Sequence, residues 1–165
     1  MERYIFLDID GVLNNRRTHI LRTCNVPGIS MSNLKILKEI VDRTGGKPVL
    51  ISDWRMSFHE QDHMRKMARY ITDKLNSIGL TFELVSNEYS YSDRAIDIRN
   101  WLETHPADGY IILDDLEFKG YLHPSVAKHW IRPDSEKGLV PEHIDQAVQK
   151  MLLPVEPIPC QQERK

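Results

Sequence analysis

Apolar and polar positions along the chain follow two periods in alternation, and the alternation reads as strands followed by helices. Residues 4–7, Tyr-Ile-Phe-Leu, form a near-continuous apolar run of the kind that suits a parallel strand buried on both faces, and it leads directly into Asp8-Ile9-Asp10-Gly11. Leu34, Leu37, Ile40 and Val41 recur at helical spacing and predict a helix over 33–43, with Ser32 as its N-cap and Gly45-Gly46 as its stop. Residues 47–52 predict a second parallel strand ending in Ser52. A longer helical stripe follows over 57–78, built on Phe58, Met64, Met67, Ala68, Ile71 and Leu75, and Gly79 ends it. Residues 81–85 alternate, which suits a strand nearer a sheet edge. Ser92 or Asp93 caps a helix running to Glu103, and residues 110–115 predict a fourth strand that ends in Asp114-Asp115. A short fifth strand is expected over 127–131. Val140-Pro141-Glu142 then opens a last helix in which Ile144, Ala147, Val148, Met151 and Leu152 pack. The polar stretch 15–32 predicts a loop with at most a short helix. Residues 154–165, with Pro154, Pro157 and Pro159, predict a poorly ordered tail.

This order gives an α/β fold, and a length of 165 residues is enough for one domain with its own core, taken as 1–153. A net charge of −2 with both signs interspersed supplies no global basic field, so a polynucleotide substrate has to be argued from the site itself. Cys24 and Cys160 lack metal-like spacing, and Met1-Glu2-Arg3 runs straight into a strand without a signal peptide, which points to the cytoplasm. No apolar run approaches the roughly 20 residues of a membrane span. No obligatory protein partner is evident.

The chemistry concentrates at the strand ends. Asp8 and Asp10 fall at the carboxyl end of the first strand, where open α/β sheets bind ligands, and two carboxylates this close repel. A divalent cation between them, or a proton on one of them, makes the arrangement tolerable. A calcium loop of the EF-hand type would need a further ligand before the glycine and a later Glu, and neither follows.

An apolar strand followed by Asp8-Ile9-Asp10-Gly11-Val12-Leu13 resembles the first motif of the haloacid dehalogenase (HAD) superfamily of phosphohydrolases. The strand ending in Ser52 is similar to the second motif, Arg94 at a helix start to the basic third motif with Arg99 as the fallback, and the strand ending in Asp114-Asp115 to the fourth. The Ser52-Asp53-Trp54-Arg55 continuation also resembles the compact HAD domains associated with RNA-repair proteins. The resemblance implies a doubly wound, Rossmann-like fold with about five mostly parallel strands, helices on both faces and the first-motif strand central. It has no large cap domain, because neither usual insertion point has room for one.

The same resemblance implies a magnesium-dependent phosphatase working through an aspartyl phosphate. Asp8 would be the nucleophile and Asp10 the general acid/base, with Ser52 and Arg94 stabilising the transferred phosphoryl group. Magnesium would be held by Asp8, the Asp10 backbone carbonyl and Asp114, with Asp115 acting through water or orienting Arg94. Gly11, Asp53, Arg55 and Arg16 are the candidate substrate contacts, with Arg17 and Arg22 near the same rim. Arg55 is also readable as a helix-start arginine paired with Asp53. An open site with basic and aromatic groups, among them Trp54, Tyr89 and Tyr91, leans towards a nucleic-acid or nucleotide phosphate end. A small-metabolite phosphatase and a non-catalytic metal- or phosphate-binding module are the alternatives. A third rival lies in His59-Glu60-Gln61-Asp62-His63, which matches the His-Glu-x-x-His signature of zinc peptidases. The charged Asp62 and the missing third ligand weaken that match.

Overall fold

The computed structural model describes residues 2–22, 25–58, 63–85 and 93–159. In chain order the elements are β1 (Glu2–Leu7), a small hairpin of β2 (Ile20–Leu21) and β3 (Val26–Pro27), α1 (Met31–Thr44), β4 (Lys47–Leu50), α2 (His63–Asn76), β5 (Glu83–Leu84), α3 (Arg94–Thr104), β6 (Ala107–Leu113), α4 (Pro124–Ala127), β7 (Trp130–Ile131) and α5 (Glu142–Met151). Five strands form one parallel sheet in the order β5-β4-β1-β6-β7, so β1 is central as expected. Leu7 pairs with Leu50 on one side and Leu113 on the other, which brings the ends of β1, β4 and β6 level.

Successive strand residues face opposite sides of the sheet, and each side has its own core. Ile5, Leu7, Leu50, Ile111 and Leu113 join Leu34, Leu37 and Ile40 of α1, Ile71 and Leu75 of α2, and Ala147 and Met151 of α5. Tyr4, Phe6, Val49, Ile51, Tyr110 and Ile112 pack instead with Ile98 and Trp101 of α3, Tyr121 and Val126. This two-sided burial explains the unbroken apolar run. Each of the larger aliphatic side chains so enclosed stabilises the fold by roughly 1.5–3 kcal/mol.

Several boundaries differ from the sequence reading. Helix α1 starts earlier and is capped by Ser30, whose hydroxyl accepts from the Asn33 amide at 3.5 Å, because the exposed Met31 lengthens the helix without adding to its apolar stripe. Among the described residues of 15–30 the β2/β3 pair takes the place of a short helix, and Met31 and Ser32 already belong to α1. Asp53–Phe58 form a 3-10 helix ahead of α2. Residues 154–159 lie on the fold, with Val155 and Ile158 against the second core, so the prolines there lead a packed strap; residues 160–165 lie outside the described ones. No described helix is long and apolar enough to cross a membrane.

The loop 134–139 is fastened to the first-motif loop. Asn33 of α1 donates to the Lys137 and Leu139 carbonyls at 2.9 and 2.7 Å and accepts from Asn15 at 2.8 Å. Gly138 has φ +67°, and a Cβ there would meet the Val12 carbonyl oxygen at 2.7 Å. Only glycine fits.

Candidate active site

The level ends of β1, β4 and β6 bring Asp8, Ser52 and Asp114 together, and the start of α3 adds Arg94. Asp8 continues the ladder, its amide donating to the Leu113 carbonyl at 2.9 Å, and its side chain is buried. The Arg94 Nη1 lies 2.9 Å from Asp8 Oδ2 and 2.7 Å from Asp114 Oδ2, and Nη2 lies 3.5 Å from Asp53 Oδ1. The Phe118 ring covers the guanidinium, 5.0 Å from its carbon. Arg99, the fallback, sits further along α3 and pairs with Glu103 at 3.6 Å. The basic group at the strand ends is therefore Arg94. Ser52 is buried beside these groups, and its hydroxyl accepts from the Trp54 amide at 3.4 Å.

Adjacent acids at a strand end point in different directions, and here that separates Asp114 from Asp115. Asp114 is fully buried. Its Oδ2 accepts from Arg94 and, at 3.0 Å, from the Tyr121 hydroxyl, while Oδ1 accepts from the Leu116 amide at 3.0 Å. Asp115 is half-buried. A Cβ on Gly11, which has φ +68°, would meet Asp115 Oδ2 at 2.3 Å. Gly11, expected as a substrate contact, also keeps space for an acid. Of the two roles expected of Asp115, acting through water or orienting Arg94, the second falls to Asp114.

The electrostatics follow from crowding in a dry place. Burial and the Asp114 charge push the Asp8 carboxyl up to about 6, against the pull of Arg94. Burial raises Asp114 too, opposed chiefly by Arg94. Burial and Asp8 raise Asp115. Burial works against the Arg94 charge, but Asp8 and Asp114 outweigh it and keep the guanidinium cationic. Tyr121 is held well above its ordinary value by burial and the Asp114 charge, so it remains a donor.

Asp8, Asp114 and Asp115 each offer a carboxylate oxygen within 4.8 Å of the others. Asp8 Oδ1 is also buried with no hydrogen-bond partner among the described residues. An unsatisfied anionic oxygen among three carboxylates suits a hard divalent cation that takes oxygen ligands, and magnesium fits this donor set. Asp10 does not add its side chain to the cluster. Its Oδ1 accepts from Asn14 Nδ2 at 2.8 Å and its Oδ2 from the Trp54 indole at 2.9 Å. Cation binding should be visible in stability. At pH 7.5, magnesium at about 100 times its dissociation constant adds roughly 2.7 kcal/mol, a melting-point rise of roughly 5–10 °C for a chain of this size. The gain should shrink at pH 5.5. The folded Asp8 carboxyl binds its proton more tightly than the unfolded one, so the metal-free protein gains stability as pH falls through about 6, and the cation must displace that proton. A thermal shift titration at both pH values checks this, with Asp115→Asn expected to lose most of the rise.

Two expected contacts are elsewhere. Arg55 is only 3% exposed and pairs at 2.8 Å with Asp97, itself 2% exposed, while also donating to the Ile51 carbonyl. It faces the interior because α3 supplies its counter-charge, and it pairs with Asp97 rather than Asp53. Trp54 is likewise buried and offers no face to a base. Arg16 lies on the rim with 79% of its side chain exposed, 3.0 Å from Glu136. It joins Asn15, Arg17, Glu136 and Lys137 around a polar cleft of about 520 Å³. Tyr89, Tyr91 and residues 59–62 of the zinc-peptidase match lie outside the described residues. The sequence reading missed the roles of Trp54, Asn14 and Tyr121. Asn14, four residues after Asp10 in a tight turn, carried a readable signal, whereas nothing in the sequence singled out Tyr121.

A central parallel strand ending in a buried acid, beside a basic helix start and a second acidic strand end, defines an α/β domain of the HAD type. The chain belongs to the family described as the HAD domain in Swiss Army Knife RNA repair proteins, whose model matches residues 4–144. No curated protein and no solved structure gives a significant match. Family membership supports a phosphatase-type function in general terms, and the acidic cluster is compatible with it.

Proposed function

We propose that the protein is a magnesium-dependent phosphomonoesterase that works through a phosphorylated Asp8. The observation that carries this reading is the buried Asp8 carboxylate, held on one oxygen by Arg94 and without a partner on the other among the described residues. Asp8 attacks phosphorus as the bond to the leaving oxygen breaks, and Asp10 gives that oxygen its proton. Water then attacks the aspartyl phosphate, Asp10 takes the water's proton, and inorganic phosphate leaves with Asp8 restored. Ser52 and Arg94 face the charge that develops on the phosphoryl oxygens, and Asp114 with Tyr121 holds Arg94 in place. Asp8, Asp115, Asp114 and the Asp10 carbonyl would hold magnesium, which offsets the repulsion between an anionic nucleophile and an anionic phosphate.

A phosphorylated nucleic-acid or nucleotide end is the substrate class we favour. The hairpin insertion is too small to enclose a substrate, and Arg16, Arg17 and Lys137 line a cleft next to the loop that carries Asp10. Burial of Arg55 and Trp54 narrows this basis to that cleft. Specificity constants for a phosphorylated oligonucleotide and a small sugar phosphate, each at two salt concentrations, test the choice. The oligonucleotide should lead by about tenfold or more and lose its lead as salt rises. A sugar phosphate that wins by a similar factor, with no salt dependence for the oligonucleotide, makes this a small-metabolite phosphatase.

A further inference from the structure

We infer that Trp54 is a positioning residue for the proton donor, and that its indole N–H sets where the acid proton of Asp10 points. The inference rests on Asp10 being the general acid. Asp8 is fixed by burial, but Asp10 stands on an exposed turn, where a short carboxyl would rotate freely. Both of its oxygens are instead held. The Asn14 side chain has a determined orientation, because its Oδ1 accepts from the Gly11 amide at 2.8 Å and its Nδ2 is therefore turned to Asp10 Oδ1. On the other side the Trp54 indole donates to Asp10 Oδ2 at 2.9 Å. An indole N–H can only donate, so no proton of Asp10 can lie along that line. The proton must occupy a lone pair away from both donors, and the carboxyl cannot turn to move it. Trp54 is itself held by packing: it is buried in the core with β1 residues Ile5 and Leu7 and is the second residue of the 3-10 helix of Asp53–Phe58, and its carbonyl accepts from the Ser57 hydroxyl at 2.7 Å. The residue next but one to Ser52 thus couples the second strand end to the acid of the first.

A merely packed tryptophan and a positioning one differ in which substrates suffer when the N–H is removed. Trp54→Phe keeps most of the bulk and deletes the donor. An alkyl phosphate needs its leaving oxygen protonated, whereas a nitrophenyl phosphate releases a stable anion and needs the acid little. The variant should therefore lose about tenfold or more in kcat/KM on the alkyl phosphate and much less on the nitrophenyl phosphate, since kcat/KM reports the transfer to Asp8 and not the later hydrolysis that both substrates share. Equal losses on the two substrates, or no loss on either, overturn the inference. Asp10→Asn separates the two layers of the claim: it should show the same bias more strongly. If Asp10→Asn shows no bias, the acid assignment fails and the inference falls with it; if only Asp10→Asn is biased, Trp54 alone is at fault. Should Trp54→Phe fail to fold, the indole N–H resonance of Trp54 decides, because Asp10→Asn must move it and an unmoved resonance overturns the inference.

Discussion

Asp8→Asn is expected to abolish turnover by about 10³-fold or more, a barrier increase of about 4 kcal/mol, while the protein stays folded. Asp8 is the one carboxylate of the site that combines deep burial, contact with Arg94 and an oxygen without a partner among the described residues, so under the proposed function no neighbour can replace it. The swap is nearly isosteric. It also removes a charge that burial and Asp114 already disfavour, so the metal-free variant should melt no lower than wild type at neutral pH. Steady-state hydrolysis of a generic aryl phosphate with magnesium, beside a melting curve without it, reads both halves. Retention of a tenth of the activity in verified pure protein would remove Asp8 from the nucleophile's place. Loss of activity with a collapsed melting point would mean that the residue is needed for folding instead.

The largest stability effect should come from a residue that the sequence offered as a substrate contact. Arg55→Met takes from Asp97 its buried counter-charge and is expected to cost about 3–5 kcal/mol, a fall in melting point on the order of 10 °C. The double variant Arg55→Met/Asp97→Leu should recover part of that loss, since burying two apolar groups avoids desolvating two charges. Kinetics on the surviving folded fraction of Arg55→Met should show an unchanged KM. A variant of near-normal stability with a raised KM would return Arg55 to the substrate and refute the structural assignment.

Arg55 also shows where reading residues in order stops being informative. The strands of Asp8 and Asp114 were legible because a strand buried on both faces writes itself as an apolar run, and acids at its end break that run conspicuously. Ser52 and Arg94 were legible through their order between those strands. The destination of Arg55 was not, because its partner Asp97 belongs to a helix that reaches it only once the sheet has formed. The division of labour between Asp114 and Asp115 was hidden for a similar reason: two neighbouring acids look alike until Arg94 and Tyr121 meet one and the Gly11 backbone makes room for the other. Trp54 misled because an indole is both an apolar plate and a single polar point. Periodicity registers only the plate. The hairpin over 20–27 escaped because strands of two residues each are too short to show a period.

The central place of β1 also has a consequence for how the protein comes into being. Asp8 is made before β4, α2, β5 and α3, and it acquires Asp114 only when β6, made after them, pairs alongside β1. Parallel pairing between distant segments is the slow part of folding such a topology, because loop closure must precede any reward. While the segments between β1 and β6 are being made, Asp8 therefore stands without Arg94 and Asp114, which surround it in the fold. The site is assembled in one event, the closing of the sheet's middle.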